Sequence, residues 1–203
     1  MMVKYLIVFY SLVFFGCKGF NDGSSFLVED QIKVIKEGEE LSMQTDYSNI
    51  GELISTFDFK VKTDNLKDFK DGFIPWADLE DPKIYLSNLD KRDEIVILHN
   101  AIKIIIDYPL TKQYEFVLKS DTGFTRGQLL LEISKHYHLL YEQEEKTASV
   151  KTIPMDKRTM YNRNETNGKY GIWGHDIADL GVSGITVYKT ANDEIVLVLS
   201  IES

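Results

Sequence analysis

The chain reads as an α+β domain: a mainly antiparallel sheet, built from a meander plus a C-terminal hairpin, with one long amphipathic helix packed on one face. Three observations predict this. Residues 94–98, 101–108 and 114–118 form apolar or alternating runs with short connections, which makes consecutive strands antiparallel, because a parallel pair needs a crossover of a dozen residues or more. Residues 185–189 and 194–201 flank Ala191-Asn192-Asp193, a second hairpin signal. Between the two blocks the apolar period changes to 3.6 residues, the spacing of a helix with one buried stripe.

Taken in order, the chain begins with Lys4 and then an uncharged run from residue 5 to residue 15. A positive segment followed by ~7–15 apolar residues is the pattern of a secretory signal, whereas a spanning helix needs roughly 20. Gly16 and Cys17 follow, and Cys17 is the single cysteine in 203 residues. Residues 1–17 resemble a bacterial lipoprotein signal peptide: Gly16 and Cys17 match its lipobox, and Phe14 stands where the family has Leu. The resemblance implies cleavage before Cys17 and lipid attachment there, palmitate included, on its thiol and freed amine. One acyl chain gives only reversible membrane binding at about 0.8 kcal/mol per buried CH₂, so a stable anchor takes two or three. It also implies a location in the bacterial cell envelope, periplasmic or surface-exposed, as a membrane-anchored lipoprotein.

This divides the chain into a signal peptide (1–16), a lipidated Cys17 with a flexible tether (17–25), and one globular domain (26–203). The tether is rich in Gly, Ser, Asn and Asp, which keeps a linker flexible. Residues 26–80 carry a weaker pattern and are expected to form a loosely packed N-terminal extension. With Lys4 removed, the net charge of −9 becomes −10. An acidic surface disfavours nucleic acid and anionic headgroups, both of which select Lys and Arg clusters. The expected membrane contact is therefore the lipid on Cys17. With Cys17 committed to lipid, no thiol remains for a disulfide, a thiolate metal site or a cysteine nucleophile.

Within 26–80, Ile32, Val34 and Ile35 suggest a short strand. Ile50, Leu53 and Ile54 lie at helical spacing and predict a short helix over 48–56. Phe57, Phe59 and Val61 alternate with Asp58, Lys60 and Lys62, a half-buried strand. In the centre, Ile102, Ile104, Ile106 and Tyr108 share a face. Pro109 turns the chain, and Tyr114, Phe116 and Leu118 alternate back.

The clearest element runs from Arg126 to about Lys146. Thr125 is a good N-cap, Gln128 completes a capping box, and Phe124 with Leu129 forms a hydrophobic staple. Leu130, Ile133, Tyr137, Leu140 and Tyr141 make one stripe, with Glu132, His138 and Glu142 turned away. The last block places Ile195, Leu197, Leu199 and Ile201 on the core face.

Candidate chemistry is sparse. His136 and His138 are two apart, so on a helix they point about 200° away from each other and cannot share an ion; no metal site and no cofactor are expected. There is no nucleophile elbow, phosphate-binding loop or dinucleotide fingerprint. Arg126 falls within the apolar stripe at a helix N-terminus, where a cation opposes the macrodipole. It is expected to fold back to an acidic residue such as Asp121 or to meet an anionic ligand. The segment 158–176 is polar and broken by glycines, and long irregular segments in compact domains are often functional. Its aromatic and charged residues, Tyr161, Arg163, Tyr170, Trp173, His175 and Asp176, are candidate binding residues alongside Arg126. Three readings follow. The first is a lipid-anchored binding module with a protein or small-ligand partner. The second is an envelope hydrolase using His175 and Asp176. In the third, a structural lipoprotein, Trp173 and Ile172 plug the core, Asp176 caps a short helix over 177–180, and Arg163 pairs with Glu165.

Overall fold

The computed structural model describes residues 49–158 and 165–203, together with Lys33, Glu37, Asp46 and Tyr47. The leader, Cys17, the tether, the expected strand at Ile32, Val34 and Ile35, and the candidates Tyr161 and Arg163 lie outside the described residues.

The fold is α+β. Five strands make the main sheet in the order β1-β9-β10-β6-β7: β1 (Glu52–Asp58), β6 (Ala101–Ile106), β7 (Tyr114–Lys119), β9 (Gly181–Lys189) and β10 (Ile195–Glu202). The short β4 (Ala77–Asp78) extends it beside the start of β9. The β6–β7 and β9–β10 pairs are antiparallel, with Ile104 opposite Phe116 and Leu197 opposite Val187. The two pairs meet through one parallel junction, where Leu197 lies opposite Ile104. β5 (Ile95–Ile97) turns away from β6 and pairs with β8 (Phe124–Thr125) at the foot of the long helix. The central meander is thus two strands rather than three.

The helix α2 (Arg126–Thr147) follows a short helix, α1 (Pro82–Leu86). The Thr125 capping box forms in full, with Gln128 reaching back to the cap. Leu129, Leu130, Ile133, Tyr137 and Leu140 are completely buried and join Ile104, Ile106, Phe116, Ile185, Val187, Leu197 and Leu199 in one cluster. Each such side chain contributes about 1.5–3 kcal/mol. His136 stacks on Phe116 at 3.5 Å and its Nδ1 lies 2.7 Å from the Tyr114 hydroxyl, which pins the helix to β7.

Two N-terminal expectations are corrected. Within the segment predicted as a helix over 48–56, residues 52–56 belong instead to strand β1, because its edge finds a partner: Glu52 lies opposite Lys189 and Phe57 opposite Ile185. Tertiary pairing overrides a helical spacing this short. Residues 49–80 are also no loose extension. Phe59, Val61, Ala77 and Leu79 are fully buried in the core, and the alternation read at Phe57, Phe59 and Val61 is present. β2 (Val61–Lys62) continues the line of β1 and pairs with β3 (Phe73–Ile74).

Candidate functional site

The irregular segment after α2 is held by a carboxylate. Glu144 extends the buried stripe of α2 by one turn, and none of it is exposed. Its oxygens accept from the Thr166 hydroxyl at 2.7 Å, the Gly168 amide at 2.5 Å and the Tyr170 amide at 2.7 Å. Burial pushes this carboxyl up, but the Thr166 hydroxyl and the amides of Tyr170, Gly168 and Gly171 outweigh it and hold Glu144 below the usual carboxylate range. Among the described residues no cation pairs with Glu144, so these donors stabilise its charge. Glycine is needed where the loop passes. A Cβ on Gly168 would stand 2.7 Å from the carboxylate, and one on Gly171, whose φ is +67°, would fall on the Thr111 side chain.

The candidates on this segment are placed as follows. Tyr170 is buried, with its hydroxyl on Gln143 at 2.8 Å. Trp173 is 1% exposed, lies edge-on to Tyr108, and its indole N–H has no partner. His175 is buried, with Nε2 3.0 Å from the Tyr108 hydroxyl and its carbonyl accepting from Tyr141. Asp176 receives both terminal nitrogens of Arg158, at 2.5 and 3.0 Å, and that contact raises the affinity of Arg158 for its proton. Asp176 also caps a single 3₁₀ turn, Ile177–Asp179.

Arg126 lies elsewhere. Tyr141, which touches His175, is fifteen residues further along α2, about 22 Å at ~1.5 Å per residue. The structure does not bring Arg126 and His175 to one pocket. Arg126 is 5% exposed and folds back onto acidic residues, but these are Asp58 and Glu94 rather than the expected Asp121. One terminal nitrogen donates to the Asp58 carbonyl and lies 3.6 Å from the Asp58 carboxylate; the other donates to Glu94 at 2.7 Å. Its guanidinium carbon sits 5.5 Å from the Phe57 ring centre, and its Nε–H has no partner. A guanidinium carries five donors, so this one keeps spare capacity.

Arg126 stands on the wall of an open cavity of about 710 Å³, which is within the usual ~300–1,000 Å³ of ligand sites. Ser55, Thr56, Thr186 and Ser200 are among its lining residues, with Asp58 and Glu94 balancing Lys91 and Arg126. Ile95, Val96 and Ile185 supply apolar wall. Sequence reasoning found Arg126 but neither this cavity nor Glu144. The signal for Glu144 was available: a carboxylate at a stripe position seven residues after Tyr137.

The chain matches no family model, no curated protein and no solved structure. Among the described residues no group of three His, Cys, Asp or Glu side chains gathers to hold a metal ion, and no helix is long and apolar enough to cross a membrane.

Proposed function

We propose that this chain is a lipid-anchored protein of the bacterial cell envelope, attached through Cys17, and that its domain is a binding module whose site is the Arg126 cavity. The leader and the lone Cys17 support the anchoring. One observation carries the site: a buried guanidinium with an unsatisfied N–H stands on the wall of the cavity. A buried unsatisfied donor costs about 1–3 kcal/mol, and such a group in a native fold calls for an explanation; its place beside the cavity supports a ligand-binding role. The charges of the cavity's lining residues cancel and several of those residues are polar, so it suits a polar, uncharged ligand surface.

The test is a thermal-shift screen of the full-length protein against metabolites, glycans and peptides, repeated with Arg126→Met. The substitution keeps the aliphatic stem and removes the donors. The expected outcome is at least one ligand whose stabilisation is lost in the variant; ligands that stabilise both proteins equally would overturn the site.

A further inference from the structure

From the geometry of the β1 edge we infer that the cavity takes an extended peptide segment of another protein, added as a strand to β1. This deepens the proposed site and rests on it. β1 and β2 form one line whose residues alternate in the side to which their backbone groups point. Odd residues serve one side: Phe57 lies opposite Ile185, Phe59 N–H donates to the Ser183 carbonyl, and Val61 lies opposite Ile74. Even residues serve the other. The Lys60 carbonyl accepts from the Asp90 amide at 2.8 Å, and the Lys62 amide donates to the Asn88 carbonyl at 2.8 Å.

Residues 88–90 are therefore a strand partner on the even side, and they stop early. Lys91 takes a left-handed conformation at φ 49° and turns the chain out. The next even carbonyl, that of Asp58, is taken by the Arg126 guanidinium in place of a backbone amide. Thr56 comes next. Its N–H and C=O point to the same side by the same alternation, and Thr56 lines the cavity. The cavity is the unfilled continuation of a strand slot, with Glu94, Ile95 and Val96 as its far wall.

A peptide backbone is the ligand chemistry that matches such an edge, since it supplies one donor and one acceptor at each second residue. Its carbonyl meets the Thr56 amide, its amide meets the Thr56 carbonyl, and the Arg126 guanidinium donates to a further carbonyl. Tyr47, among the described residues just before β1, is held elsewhere. The Tyr47 hydroxyl donates to Asp107 at 2.5 Å and accepts from Gln113. Asp107 follows β6, three strands away from β1 in the sheet, or about 14 Å at ~4.8 Å per strand.

The test pans a random heptapeptide library on the immobilised full-length protein and titrates the selected peptide against wild type, Thr56→Pro and Thr56→Ala. Proline removes only an edge-facing N–H, a position where sheets tolerate it, and alanine keeps the backbone while removing the side chain. The expected result is about tenfold weaker binding to Thr56→Pro, as for loss of a hydrogen bond, and binding to Thr56→Ala within about twofold of wild type. N-methylating alternate amides of the peptide abolishes binding to the unaltered protein, independently of how the variants fold. Equal binding to wild type and Thr56→Pro overturns the inference. So does a library with no binder while Arg126→Met still abolishes binding of a glycan or metabolite; that outcome leaves the cavity as a site of another kind. Competition by a synthetic peptide of residues 26–45, or self-association through this edge, would assign the slot to the chain itself and also overturn it.

Discussion

At the residue scale, two charged side chains sit where an apolar stripe predicts hydrocarbon, and each is resolved by a different set of partners. Arg126 closes the open end of a strand pairing with its guanidinium. Its presence in the stripe was legible from helical spacing, and so was its need for an anionic partner, but the nearby Asp121 is not that partner: Asp58 and Glu94 are 68 and 32 residues away and no local pattern names them. Glu144 gathers a hydroxyl and several amides of the following loop. The Glu144→Gln substitution presents an amide N–H₂ to donors that need an acceptor, so stability should fall by about 2–3 kcal/mol in urea titration. The pH dependence has a definite sign. Because the folded state holds Glu144 below its ordinary value of about 4.3, its contribution is complete above that pH and is lost as pH falls through the lower folded value. The variant should lack this part of the acid sensitivity. Equal acid slopes in wild type and variant would show that the loop is held otherwise.

At the element scale, the helix and four main strands were legible because their patterns are long and agree with their caps and turns. Thr125 and Gln128 bracket α2 as expected, and Ile102, Ile104 and Ile106 line one face of β6. Where the pattern was short it misled. Ile50, Leu53 and Ile54 match a helix by spacing alone, while β1 exists because β9 offers it an edge and Gly51 lets Lys189 approach. The β5–β8 pairing joins two segments of 3 and 2 residues, too short to carry a register in their sequence. The loop of residues 165–175 shows the same dependence on partners, since its course is set by Glu144 and Thr111 rather than by any period of its own. Gly171→Ala should therefore cost more than the ~1 kcal/mol of an ordinary αL penalty, because the methyl group also collides with Thr111. Thermal unfolding of the variant checks this, and an unchanged midpoint would mean that the loop readily takes another path.

At the scale of the whole molecule, stability and location come from different parts of the chain. The domain needs no disulfide, since its sheet and α2 share one continuous apolar cluster. The negative surface gives it little attraction to anionic headgroups, so the proposed means of holding it at a membrane is lipid on Cys17. With the proposed anchor on Cys17 and the proposed β1 slot in the folded domain, the molecule would present a peptide-accepting edge near a membrane surface. Location is the premise of this scheme, and metabolic labelling with a palmitate analogue tests it directly in bacterial cells expressing the full chain or Cys17→Ser. Label on the wild-type protein and none on Cys17→Ser is the expected result; equal labelling of both, or an unlabelled wild-type protein, would contradict lipid anchoring at Cys17.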